Sequence, residues 1–281
     1  MEFRKSSKNL AENEFTYLDI FVSPHYHFND YKHNGNDFSP QHSKQALQEI
    51  FSILEIQETE YQELQLINLE FGVNIISPID IKNLITGILF YNRKTQFITS
   101  KDFSYYKITD ATTHKQIKAY AKGLQFINNP EYKISQNTFR FEVRSKEAKN
   151  IRKYGIYSAK DLFSDEVYGV LGQNLLKEWE QLLIVNIEPD LEGLTLEEKK
   201  YLLEAKEIEF WIRKTQNDYR NAYSREVKKY YNKSQNRNNL HHQLKVQILD
   251  KIFKLLNGAV STNKTMMNRA FLKTEKIPLP R

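Results

Sequence analysis

Ile67-Asn68-Leu69-Glu70-Phe71-Gly72-Val73-Asn74-Ile75 alternates apolar and polar residues without a break. Two later stretches do the same. Ile117-Lys118-Ala119-Tyr120-Ala121-Lys122 sets Ile117, Ala119 and Ala121 against Lys118, Tyr120 and Lys122. Phe139-Arg140-Phe141-Glu142-Val143-Arg144 sets Phe139, Phe141 and Val143 against Arg140, Glu142 and Arg144. Side chains of a strand project alternately, so each stretch reads as a half-buried strand. Sheets with one wet face are antiparallel as a rule, and the three strands are expected to share one such sheet.

Outward from these strands the pattern is mixed. Thr16 to Val22 fits a first strand, and a His- and Asn-rich loop follows from Ser23 to Phe38. Ser43 to Leu54 repeats apolar residues at helical spacing (Ala46, Leu47, Ile50, Phe51, Leu54), and Ile79 to Tyr91 reads as a second helix. Beyond Arg144 the chain turns helical: residues 147–153, 158–163 with Ser158 as N-cap, and a longer helix over 165–185. Thr195-Leu196-Glu197-Glu198 is a capping-box signal opening a helix that reaches about Lys214. Helices are also expected over 218–231 and 240–256, with Trp179 and Trp211 in the core. The first fifteen residues and 257–281 read as loosely structured. The class is α+β, with an antiparallel-sheet domain over 15–165 and a helical, basic region over 166–281.

Composition narrows the chemistry. Among 281 residues there is no cysteine, which removes disulfides, thiolate metal sites and cysteine nucleophiles. Apolar runs such as Ile88-Leu89-Phe90-Tyr91 are far shorter than the roughly 18 residues of a membrane span. No apolar leader follows Met1, so a protein of the cytoplasm with no membrane partner is expected. The formal net charge is +6, unevenly spread: Phe210 to Arg281 carries 16 basic and 4 acidic residues, the rest 25 and 31. A basic end on a mildly acidic body points to a polyanion, most often nucleic acid; a solvated basic helix pair gives the same count.

The polar faces of the three strands gather Glu70, Tyr120, Lys122, Arg140, Glu142 and Arg144. Two carboxylates side by side repel unless a cation separates them, and a hard ion such as Mg²⁺ or Mn²⁺ suits oxygen ligands. Such an ion polarises a phosphodiester, arginines hold neighbouring phosphates, and a tyrosine oxygen attacks phosphorus if a base or cation lowers its pKa. A solvated sheet with cross-strand Glu–Arg and Glu–Lys pairs shows the same alternation.

The three strand motifs, followed by Lys153-Tyr154-Gly155-Ile156 and Ala159-Lys160-Asp161-Leu162, resemble the rolling-circle replication initiators of phages and plasmids related to the filamentous-phage strand-nicking protein, particularly Bacteroidetes-type members. His33-Asn34-Gly35-Asn36-Asp37-Phe38 is similar to that group's Asn-Asp-Phe loop. The resemblance spans about residues 23–180. It implies an HUH- or RRM-like nickase core that cuts single-stranded or supercoiled origin DNA in a bacterial host, keeps the 5′ end as a phosphotyrosine, and later rejoins it. Host helicase and polymerase are the further partners it implies. The Tyr-x-Lys strand places the nucleophile on Tyr120 with Lys122 as companion, although Ala121 stands where members often carry an acid. Tyr105 and Tyr106 are the alternative nucleophiles. Glu70 and Glu142 become metal ligands, and His25-Tyr26-His27 has the His-hydrophobic-His spacing of a metal pair.

Arg140, Arg144 and Asn74 are the expected DNA contacts on the sheet. Arg220, Arg225, Lys228 and Lys229 are those of the tail, where Tyr219, Tyr223, Tyr230 and Tyr231 either stack on bases or pack inward. A sequence-specific DNA-binding initiator or repressor that does not cut stands as the alternative.

Overall fold

The computed structural model of the chain describes residues 2–4, 17–92, 95–216, 221–234 and 238–258. The short strand β1 (Glu2–Arg4) pairs with β2 (Tyr17–Asp19). Where a loop was expected, Pro24–Phe28 forms a short helix, α1: proline supplies the helical φ at a first-turn position that has no need of its missing N–H. Helix α2 (Pro40–Ile53) opens on Ser39, whose hydroxyl accepts from His42 N at 3.2 Å, and buries Ala46, Leu47, Ile50 and Phe51 as its spacing requires.

The alternating stretches become strands β3 (Leu69–Ile76), and, after α3 (Ile81–Thr86), β4 (Ile88–Tyr91), β5 (Thr95–Gln96), β6 (Ile98–Thr99) and β7 (Tyr106–Thr112), the strands β8 (Lys115–Ala121) and β9 (Thr138–Ser145). Five of them form one antiparallel sheet in the order β3-β9-β8-β7-β6. The chain continues through α4 (Ala148–Ile151), α5 (Asp165–Trp179), β10 (Leu182–Ile184), α6 (Leu196–Ala205), α7 (Ile208–Thr215), α8 (Ala222–Lys233) and α9 (Leu240–Asn257).

The apolar face of the sheet carries the main core. Val73, Ile75, Ile117, Ala119, Phe139, Phe141 and Val143 pack against Leu84 and Ile85 of α3, Leu175 and Trp179 of α5, and Leu240, Leu244, Ile248 and Ile252 of α9. Trp179 meets Phe141 edge-on at 5.1 Å and stacks on the buried His241 ring at 5.5 Å. A second core forms around Trp211, whose indole N–H donates to Ala205 O at 2.6 Å, with Tyr223 and Tyr230 packed edge-on against the ring. Both tryptophans are fully buried, as expected.

Two expected helices are shorter than predicted. The helix over 79–91 stops at Thr86, and Ile88–Tyr91 is instead a strand buried on both sides: Ile88 and Tyr91 face the main core, Leu89 and Phe90 the second. The helix over 165–185 stops at Trp179, and Leu182–Ile184 pairs antiparallel with β4. Four consecutive apolar residues suit a doubly buried strand as well as a helix, and periodicity alone does not separate the two. The helix starting at Thr195 also breaks, at residues 206–207, into α6 and α7; its capping box is present, with Thr195 and Glu198 bonded reciprocally at 3.0 and 3.3 Å.

Packing crosses the expected boundary near residue 165. β10 pairs with β4, and α5 and α9 complete the core beneath β3, β8 and β9. Among the described residues no helix is long and apolar enough to cross a membrane. Tyr219, Arg220 and the stretch from 259 onward lie outside the described residues.

Candidate active site on the polar face of the sheet

Register aligns the opposite face in rows. Tyr106, Tyr120, Arg140 and Asn74 lie side by side across β7, β8, β9 and β3; the next row is Ile108, Lys118, Glu142 and Gly72; the third is Asp110, Gln116, Arg144 and Glu70. Directly opposed side chains on one face are in contact range, so the rows determine who meets whom.

Tyr120 donates its hydroxyl proton to Glu142 Oε1 at 2.9 Å, and its ring stacks on Tyr106 at 4.4 Å. It is 5% exposed, and burial together with the Glu142 charge raises its pKa far above the ordinary phenol range. Lys122 opens the short 3₁₀ turn Lys122–Phe126 just past the strand. Its ammonium still lies 5.7 Å from the Tyr120 ring centre and donates to Gln125 Oε1 at 2.8 Å. Burial first, then the neighbouring Arg140, lower the Lys122 pKa to about 7, against the pull of Glu142 and Glu70.

Arg140 engages all three nitrogens inside the protein. Nε donates to Asn74 Oδ1 at 2.6 Å, Nη1 to Glu142 Oε1 at 3.3 Å, and Nη2 to the carbonyl of Asn34. Asn74 is likewise fully engaged, donating to the carbonyls of Gly35 at 2.9 Å and Asn36 at 2.8 Å. The two residues expected to grip DNA therefore hold the 34–36 loop against the sheet. That loop fits closely: a Cβ on Gly35 would run into Ile134 Cδ1 and come within 3.0 Å of Phe126. Asp37 ties it to α9 through Lys251 at 2.8 Å. Arg144 is half-buried and donates to Asn68 Oδ1 at 2.9 Å.

Glu142 is 6% exposed, and the glycine opposite it makes the room. A Cβ on Gly72 would sit 2.4 Å from the Phe141 carbonyl oxygen and 2.5 Å from Glu142 Cγ, so no larger residue fits there without moving the β9 backbone and the carboxylate. Lys118 donates to Glu70 Oε2 and stands 3.9 Å from Glu142 Oε2. Glu142 Oε2 is buried and receives no donor. Burial raises the Glu142 pKa, with the Glu70 charge adding to the effect. For Glu70, burial works the same way, but the Lys118 ammonium outweighs it and lowers the pKa.

The four expected metal ligands do not converge. On a helix, residues two apart point about 200° from each other, so α1 separates the histidines that an extended chain would have aligned. His25 Nε2 meets Asn36 Oδ1 at 2.7 Å and its ring stacks on Phe38 at 4.4 Å. His27 turns to Glu49 at 3.1 Å and Tyr31 at 3.0 Å. Burial, helped by Arg140 and Lys122, lowers the His25 pKa to about 4 against the Asn36 hydrogen bond, so this ring is neutral at pH 7. Among the described residues no three His, Asp or Glu side chains form a group able to hold an ion. The carboxylate pair instead carries an ammonium, and this donor set does not fit an oxygen-ligated divalent cation.

The C-terminal candidates lie on the helices of the second core. Arg225, Lys228 and Lys229 are exposed on α8, and Lys229 lies over the Tyr201 ring at 4.6 Å. The tyrosines between them turn inward. Tyr230 OH accepts from Asn186 N at 2.9 Å; Tyr231 OH donates to Leu182 O at 3.0 Å and accepts from Ile184 N at 3.1 Å. Tyr223, Tyr230 and Tyr231 are thus core residues, unavailable to bases.

Two members of the site are not marked as such by the sequence pattern. Lys118 was legible as a neighbour, since alternation puts it on the face of Tyr120, but nothing there assigns it a role. Tyr106 stands as an alternative nucleophile without a place beside Tyr120, because Lys107-Ile108-Thr109-Asp110-Ala111-Thr112 alternates too weakly to mark β7. No protein-family model matches the chain, and neither a curated protein nor a solved structure does.

Proposed function

We propose that the protein is a replication initiator that nicks and rejoins single-stranded origin DNA of a phage or plasmid through Tyr120. The observation that carries this reading is the grouping of a phenol, a carboxyl that holds its hydroxyl, and a buried lysine whose pKa of about 7 leaves much of its amine unprotonated at neutral pH. In the reaction the Tyr120 oxygen bonds to phosphorus and the bond from phosphorus to the 3′ oxygen breaks. The phenol proton passes to Glu142, which already accepts its hydrogen bond, and on to the Lys122 amine, and the departing 3′ oxygen takes a proton from solvent. Rejoining reverses these steps. Lys118, Arg140 and Arg144 set a positive field around the phosphate as charge builds on it. Because Tyr120 is 5% exposed, the phosphate reaches its hydroxyl only after neighbouring side chains move aside. The exposed cations of α8 supply sequence-independent grip.

The test is an SDS-resistant adduct between the full chain and a pool of single-stranded and supercoiled DNA that includes candidate origins. A DNA-linked peptide containing Tyr120 supports the proposal; an adduct on Tyr106 moves the nucleophile one strand over. The burial of Tyr120 favours a second reading, a sequence-specific DNA-binding initiator or repressor that does not cut. Tight binding to one sequence with no adduct would establish it.

A further inference from the structure

We infer that Lys118 is the resident cation of the Glu70–Glu142 pair and that the strand transfer proposed above, on which this inference rests, runs without a divalent metal. Lys118 faces Glu142 directly across β8 and β9, with Glu70 one row further along. Its side chain is 10% exposed, and its nitrogen reaches both carboxyl groups, bonded to Glu70 and 3.9 Å from Glu142. An ion bridging these two carboxylates would come to the place that nitrogen occupies. Gly72 leaves the Glu142 side chain room opposite, and the expected ligand His25 is held by Asn36. Among the described residues no third His, Asp or Glu side chain joins the two carboxyls in a group able to hold an ion. A divalent ion would have to expel an ammonium already bonded to Glu70, and like charges a few ångströms apart repel. Lys118 thus does part of what a metal does elsewhere: it holds two carboxyls together and presents positive charge to the phosphate.

Titration of the full chain with Mn²⁺, followed by electron paramagnetic resonance without DNA, tests this directly. The wild type should show no site tighter than about 1 mM, and Lys118→Met, with two carboxyls left facing each other, should gain affinity by about tenfold or more. One site of micromolar affinity in the wild type, lost in Glu70→Gln, would overturn the inference. So would a folded Lys118→Met protein, judged by its near-ultraviolet circular dichroism, that gains nothing. If Lys118→Met does not fold, the wild-type titration decides alone. The adduct assay in EDTA then separates the two readings. An adduct formed in EDTA supports metal-free transfer, and one that appears only with Mn²⁺ refutes it. No adduct under either condition counts against the nickase reading, and the Mn²⁺ titration then decides whether Lys118 holds the place of an ion.

Discussion

The buried tyrosines on α8 and on β8 are used differently. On α8, the hydroxyls of Tyr230 and Tyr231 meet backbone groups of the segment from Leu182 to Asn186, and Tyr223 packs on Trp211. On β8, the Tyr120 hydroxyl meets a carboxyl that is itself bound to arginine and lies beside a second carboxyl and a lysine. Burial raises the phenol pKa in both regions. What differs is the partner. A backbone carbonyl keeps its state over the whole pH range, whereas Glu142 and Lys122 can exchange protons with a phenol that reacts. A titrating hydroxyl partner makes proton exchange with a buried tyrosine possible; a backbone carbonyl does not.

The sharpest break in this comparison is Tyr120→Phe, which should abolish the DNA adduct while leaving DNA affinity within a few-fold. Tyr230→Phe should leave the adduct unchanged and cost about 1 kcal/mol of stability, the worth of an ordinary hydrogen bond, read by urea unfolding. Next comes Gly72→Ala. The added methyl displaces Glu142, and the loss should appear as about 10²-fold slower adduct formation with about 1–3 kcal/mol of overpacking strain, on the order seen when extra atoms enter a filled core. Lys122→Arg should slow the reaction by about 10²-fold, the lower range for general acid–base catalysis. In the wild type the rate should rise as pH passes about 7, where Lys122 loses its proton, and the variant should lack that rise.

His25 gives a signal on stability alone. Its folded pKa of about 4 lies below the ordinary 6.5, so the unfolded chain binds the extra proton first. The stability it contributes is full above pH 6.5 and is lost as pH falls through 4, by about 3 kcal/mol for a shift of this size. Thermal melts of His25→Gln across about pH 4–7 should show a flatter acid limb. The mildest effect belongs to α8. Replacing Arg225, Lys228 and Lys229 singly with alanine should lower the slope of log affinity against log salt by about one each, with little dependence on DNA sequence.

The alternating residues of β3, β8 and β9 made the sheet legible, and with it the company of Tyr120, Lys118, Arg140 and Glu142. Their physical signal is local, since strand alternation needs no knowledge of the rest of the chain. The ambiguous stretches were those whose surroundings decide. Ile88–Tyr91 is apolar throughout because both of its faces meet a core, a fact that exists only after residues beyond 180 have folded around it. The histidines misled because one proline converts an extended His-x-His into a helical turn and points the rings apart. Arg140 and Asn74 look like DNA contacts by residue type, yet the 34–36 loop, far from both in sequence, consumes their donors.

Helix α9 has a bearing on how the chain is made. Its residues Leu240, Leu244, Ile248 and Ile252 cover apolar side chains of strands that begin at Leu69. During synthesis the sheet, α3 and α5 leave the ribosome before α9 does, so the part of the apolar face that α9 covers stays open to water and to other nascent chains. The last described helix is thus a latch on the growing polypeptide: until it docks, the strands belong to an aggregation-prone intermediate.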